Sequence, residues 1–222
     1  EGNVLADNQD FAIRVHASQA TSLTASNDYS GSSLGRPNGD NRVFLWGLVG
    51  DGLGSHTWSD LGVAWYVGPS SRLRYGDNVI VDEGTTVTIE AGARFEFGAG
   101  SSFNVWDDAR ILVNGTSERP VEFDSVTPVP GSWEGLSFSE AGESVLNNVV
   151  IRWAGDPDGL YVGSPAAVHI YLSSLTMTES VIHGSGACAV SVANLRPGQV
   201  VDLQLQVQAH ESGYPELCDD VS

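Results

Sequence analysis

Lysine is missing from this chain of 222 residues. All ten cationic side chains are arginine, against 28 carboxylates, so the formal net charge is −18. Such a field repels nucleic acid and anionic membrane, whose phosphates need a basic surface, and it disfavours polyanionic substrates unless a metal bridges them. Cysteine is down to two residues, which rules out a disulfide framework and a cysteine-rich zinc site. Cys188 and Cys218 leave two readings open: one disulfide that pins the tail, or a buried Cys188 thiol at a core position. The five histidines (16, 56, 169, 183 and 210) show no zinc-ligand spacing. No apolar run approaches the roughly 18 residues of a membrane span, and no signal peptide is visible. Glu1 stands where an initiator Met would, so the chain reads as a processed protein or an excised fragment. Phosphate-cradling glycine loops, a G-x-S-x-G elbow and a Ser/His/Asp set are absent too.

Long helical periodicity is also lacking. What recurs from residue 79 is a short alternating strand, a turn, and another short strand: TVTIEAG, RFEFGAG, SFNVWDD, RILVNG, PVEFDS, GLSFSE, AAVHIYL, CAVSV. Tight Asn-Gly or Asp-Gly turns are too few for a meander of so many strands. Three short strands per coil, stacked on the coil below, satisfy the pattern instead: each strand gains partners above and below, and alternate side chains form an apolar column. At roughly 20–25 residues per coil, the segment 79–207 makes about five to six coils. The alternation predicts that Val79, Val87, Ile89, Phe95, Phe97, Ile111, Val113, Val121, Phe123, Leu136, Phe138, Val150, Val190 and Val192 point inward.

The segments HTWSDLGVAWYV, TVTIEAGARFEFGAGSSFNV, ARILVNGTSERPVEF, GSWEGLSF and LNNVVIRWAG occur in that order over residues 41–195. In this they resemble the right-handed parallel β-helix repeat units of large secreted and cell-surface bacterial proteins. The resemblance implies an all-β chain folded as a right-handed parallel β-helix with loop and cap segments. It says less about function, because such units serve as spacers, adhesin shafts and accessory modules as well as parts of enzymes.

A second pattern concerns the ends. NVLADNQDFAIRVHAS at 3–18 parallels SVIHGSGACAVSVANL at 180–195, with FAIRV opposite CAVSV. The organisation expected from this is a terminal coil at 1–18 repeated from a preceding unit, a polar protruding loop at 19–40, a β-helix unit at 41–195, and a C-terminal cap or tail at 196–222. The N-terminal coil is then expected either to dock on segment 41–67 or to meet the end of a neighbouring molecule.

Chemistry-bearing residues are sparse. Asp107 and Asp108 offer paired carboxylates for acid–base cleavage of a glycan, but a strand-ending turn explains them as well. His183-Gly184-Ser185-Gly186 faintly resembles the histidine element of polygalacturonases, whose first and last elements are missing here. Arginine, the one base left for a lyase, is scattered singly along the sequence. Asp156 and Asp158, two residues apart before a glycine, are the candidate calcium ligands; no other cofactor is indicated. Trp46, Trp65, Trp106 and Trp153 are candidates for stacking on sugar rings, whereas Trp58 and Trp133 read as corner fillers.

These features predict a non-catalytic extracellular module, structural or adhesive, secreted or held at the cell surface. Its expected partners are itself end to end in filaments or arrays, neighbouring repeats of a longer protein, or a surface glycan, and neither nucleic acid nor a membrane interior. The competing class is a carbohydrate-binding or polysaccharide-degrading β-helix module, with Asp107 and Asp108 as its cleaving pair.

Overall fold

The computed structural model describes residues 2–50, 52, 54–69, 78–158, 165–208 and 217–220, with the side chains of Asp219 and Asp220 excepted. Among the described residues eighteen strands, every assigned pair parallel, form a right-handed parallel β-helix. They are β1 (Phe11–His16), β2 (Asp40–Val49), β3 (Ser55–Trp58), β4 (Trp65–Val67), β5 (Asn78–Val81), β6 (Thr86–Glu90), β7 (Arg94–Phe97), β8 (Ser102–Trp106) and β9 (Arg110–Asn114). Then follow β10 (Val121–Ser125), β11 (Gly135–Ser139), β12 (Ser144–Asn147), β13 (Val149–Arg152), β14 (Ala166–Tyr171), β15 (Leu175–His183), β16 (Cys188–Ala193), β17 (Val201–Gln208) and β18 (Leu217–Asp220).

The pairings sort the strands into three faces. Face 1 stacks β1, the first half of β2, β4, β7, β10, β13, and the second halves of β15 and β17. Face 2 runs from the second half of β2 through β5, β8, β11, β14 and β16 to β18. Face 3 holds β3, β6, β9, β12 and the first halves of β15 and β17. Among the described residues the chain thus winds through six full coils from β2 to the middle of β17, with a partial coil at each end.

Strict alternation fills the interior. Trp65, Phe95 and Phe123 stack ring on ring up face 1, at 6.3 and 5.2 Å between centroids. Trp133 fills a corner, lying 3.9 Å from Phe97 and donating its indole N–H to the Arg152 carbonyl. In a solenoid one coil cannot bury its own inner side chains, so this column is what joins the coils. The residues expected inside are buried with two exceptions. Val192 is only partly covered but packs on the core. Val150 points outward, and Val149 and Ile151 are the buried pair. Three apolar residues in a row hide the parity there. It is set by Asn148, which turns the corner at φ +49° and starts the strand at Val149.

β1 does stack on segment 41–67, pairing Ile13 with Val43 and Val15 with Leu45 on face 1. Its supposed copy, β16, lies on face 2, so FAIRV and CAVSV share a pattern but not a place in the coil. The polar stretch after β1 does not simply protrude. It forms a 3-10 turn at Ala17–Ser22, buries Tyr29, and folds back on the N-terminus where Asn38 donates to the carbonyls of Leu5 and Tyr29. At the other end the helix continues past residue 195: β17 and β18 stack on β15 and β16. The Cys188–Cys218 disulfide, with 6.0 Å between Cα atoms, ties this last coil down.

Candidate functional site

Parallel strands in register carry equivalent residues about 4.8 Å apart up the stack. An outward side chain that recurs at one point of the coil therefore becomes a column. On face 1 the register joins Phe44 to Tyr66, Tyr66 to Glu96 and Glu96 to Asp124; Arg152 follows beside Asp124, and His183 beside Arg152. A second column places Arg94 against Glu122. The arginines that are scattered in sequence are thus gathered here: Arg14, Arg42, Arg94 and Arg152 all project from the outer side of face 1.

These charges are paired. Arg42 donates to both oxygens of Asp40 and reaches Glu96 at 3.0 Å. Burial works to lower the Arg42 pKa, but its hydrogen bonds and Coulomb attraction to Asp40, then to Glu96, outweigh it and hold the guanidinium above its ordinary value. For Asp40 burial pushes upward, and the hydrogen bonds from Arg42 win and lower it. Arg94 lies 2.5 Å from the other oxygen of Glu96. Arg152 sits between Glu122 and Asp124, at 3.4 and 3.3 Å.

Aromatic rings flank the ions. Arg42 lies 4.4 Å above the Tyr66 ring, and Arg14 lies 4.7 Å from Phe44. Phe11 stacks on Tyr66 at 5.1 Å. The phenol end of Tyr66 rests over Gly98, where an added Cβ would come within 2.8 Å of its hydroxyl. At the far end Trp153 meets His183 edge to face at 5.1 Å, beside Arg152. The whole forms a ridge of ion pairs with a planar ring at either end.

The residues singled out from sequence fall elsewhere or divide. Asp107 and Asp108 occupy the corner from face 2 to face 3, both exposed, with φ of +45° and +60°. Glu83 and Glu140 take the same left-handed conformation in neighbouring coils, and the Asp108 N–H donates to the Glu140 carbonyl at 2.8 Å. The pair is therefore a backbone corner, pointing away from face 1. Trp65 is a correction: it is fully buried, with its N–H given to the Ser59 carbonyl, and cannot stack on a sugar. Trp46 and Trp106 are half-buried, Trp46 against His16 and Trp106 at the end of β8 on face 2. Trp153 adjoins the face 1 ridge next to Arg152, and Trp46 stands on face 1 opposite His16, two residues past Phe44. The Asp156 carboxylate accepts the Asp158 N–H at 2.9 Å, closing a turn, and no group of three acidic, histidine or cysteine side chains suited to a metal occurs among the described residues. Gly159, the end of that candidate loop, lies outside the described residues.

Residues 70–161 match the family model described as the pectate-lyase like beta helix domain. Comparison with curated proteins and with solved structures gives no match. The middle of the chain is thus similar to that domain, and the whole is a right-handed parallel β-helix.

Proposed function

We propose that the chain is a non-catalytic, extracellular β-helix module that holds a polysaccharide along the outer side of face 1. The observation that supports this most is the ridge itself: paired carboxylates and guanidiniums in register, bounded by Tyr66 and by Trp153 with His183. Fixed pairs of this kind present acceptors and donors together, as hydroxyl-rich ligands need, and aromatic planes suit the apolar faces of sugar rings. The similarity of residues 70–161 to a pectate-lyase like domain agrees with a polysaccharide-related role.

Cleavage is not part of the proposal. A general base must be available and matched to a partner across the scissile bond. On face 1 Glu96, Glu122 and Asp124 are each engaged by arginine, and Asp107 and Asp108 lie on an exposed corner. The test is a polysaccharide panel read two ways, by retardation in affinity gels and by release of reducing ends or unsaturated sugars. Retardation without release is the expected result. Product release that Asp107→Asn, Asp108→Asn or Asp124→Asn abolishes would overturn it.

A further inference from the structure

Resting on the reading that face 1 binds glycan, we infer that its ligand is an uncharged polysaccharide and not a polyuronate, and that the chain lies along the solenoid axis. The charge arrangement decides the first point. A uronate chain carries one carboxylate per sugar and needs cations that are not already engaged. On this face Arg42 is shared by Asp40 and Glu96, Arg94 is taken by Glu96, and Arg152 is shared by Glu122 and Asp124. The fourth arginine, Arg14, is paired with Asp10, so counting these residues alone, five carboxylates face four guanidiniums. The rest of the molecule adds repulsion, since the chain carries −18 and no lysine.

An uncharged sugar has the opposite requirements. Its hydroxyls each donate and accept, so they can use a carboxylate oxygen and a neighbouring guanidinium N–H without breaking the ion pair. The pairs on face 1 have side chains between one fifth and about one third exposed, apart from the more open Arg94, so they are fixed by packing yet reachable from solvent. Being held in place beforehand lowers the ordering cost of binding.

The axial direction follows from where the groups lie. Tyr66, Glu96, Asp124, Arg152 and His183 succeed one another coil by coil, so the column runs parallel to the axis and not across it. One coil rises by about 4.8 Å, close to the length of one pyranose unit in an extended chain. Successive sugars would meet successive coils, with Tyr66 and Trp153 as planar stops near the two ends of the ridge.

Isothermal titration of the full chain against hydroxyethyl cellulose, a mixed-linkage β-glucan and polygalacturonate, at low and high salt, tests the inference. Binding of a neutral polymer that persists at high salt is expected, with no uptake of polygalacturonate at either salt. Arg152→Ala and Trp153→Ala should each weaken it by about tenfold, and Trp106→Ala on face 2 should leave it unchanged. Oligomers of increasing length should gain affinity until they span the column and then level off. Salt-sensitive binding of polygalacturonate alone, lost in Arg152→Ala, would overturn the uncharged-ligand inference while keeping face 1 as the glycan site. Binding of no polymer, or binding that face 1 variants leave intact, would overturn the glycan reading beneath it.

Discussion

Two stretches of this surface carry acids coil after coil, and they have opposite characters. On face 1 Glu96, Glu122 and Asp124 stand on strands, in register, each met by an arginine. At the corner between faces 2 and 3, Glu83, Asp107, Asp108 and Glu140 stand on left-handed residues with their side chains largely in water. A strand fixes the direction of its outward side chains, so charges a coil apart can pair. A corner turns the backbone outward and splays them. Recurrence alone therefore does not make a site; recurrence on a strand does.

The largest expected effect concerns what lies beneath face 1. Phe95→Ala removes the ring between Trp65 and Phe123 in the inner stack, and a solenoid core has no second layer to close the gap. A loss of about 3–5 kcal/mol is expected in urea denaturation. If the outer ridge drew its order from the ion pairs alone, glycan binding would survive this change; we expect it to fall along with stability.

Removing the Cys188–Cys218 bond by Cys218→Ser comes next. The bond closes a 30-residue separation, for which chain entropy gives about 3.5 kcal/mol. The expected readout is faster proteolysis confined to the last coil, with face 1 binding retained because its column ends before that bond. Equal loss of binding would break the distinction between the two regions.

Arginine deletions compare strand and corner directly. Arg152→Ala leaves Glu122 and Asp124 side by side without their cation on a half-buried face, and about 1 kcal/mol of destabilisation is expected. Arg196→Ala removes the partner of Glu140, where both side chains are about half exposed, and no measurable change is expected. A thermal melt of each variant at low and high salt checks the contrast. At the same corner Asp108→Gly should stabilise by up to about 1 kcal/mol, because it relieves a left-handed conformation without removing a pair.

How much of this was legible beforehand depends on which property is read. Alternation in RFEF, ILV and VEF reports parity directly, so the inner column could be listed from sequence. At Val149-Val150-Ile151 it could not, because three apolar neighbours leave the phase to the corner at Asn148. The parallel between residues 3–18 and 180–195 misled for a related reason. Face 1 and face 2 strands share one alternating pattern, and only the pairing partners separate β1 from β16. The ridge was hidden because its members come from different coils. Yet Glu96, Asp124 and Arg152 recur at one constant interval, each at the outward position of its strand. Aligning the coils by that interval, and then reading the outward residues down the column, would have found it. Asp107 and Asp108 drew attention because they are adjacent in sequence, which in this fold marks a corner.

The smallest expected effect is a pH dependence at the N-terminal end of the core. His56 points inward on β3, in register with Val87, and is almost fully buried. Its Nδ1 lies 3.3 Å from the Thr21 hydroxyl oxygen, which also accepts the Thr57 N–H, so the hydroxyl proton is free to go to Nδ1. Nε2 then carries the ring proton and has no partner among the described residues. Burial lowers the pKa below its ordinary value, and His56 lines an open cleft of about 730 Å³ beside the 3-10 turn. The sign follows from linkage: the unfolded chain takes up a proton near pH 6.5, where the folded one resists it. The stability tied to neutral His56 is therefore present in full above pH 6.5 and is lost as pH falls through the lower folded value. Urea midpoints from pH 8 to pH 5 for the native chain and for His56→Gln give the test. The native chain should lose ground to the variant only in the acid half of that range. A constant difference across the range would mean that His56 is solvated, and that the cleft under the 3-10 turn is wetter than its packing indicates.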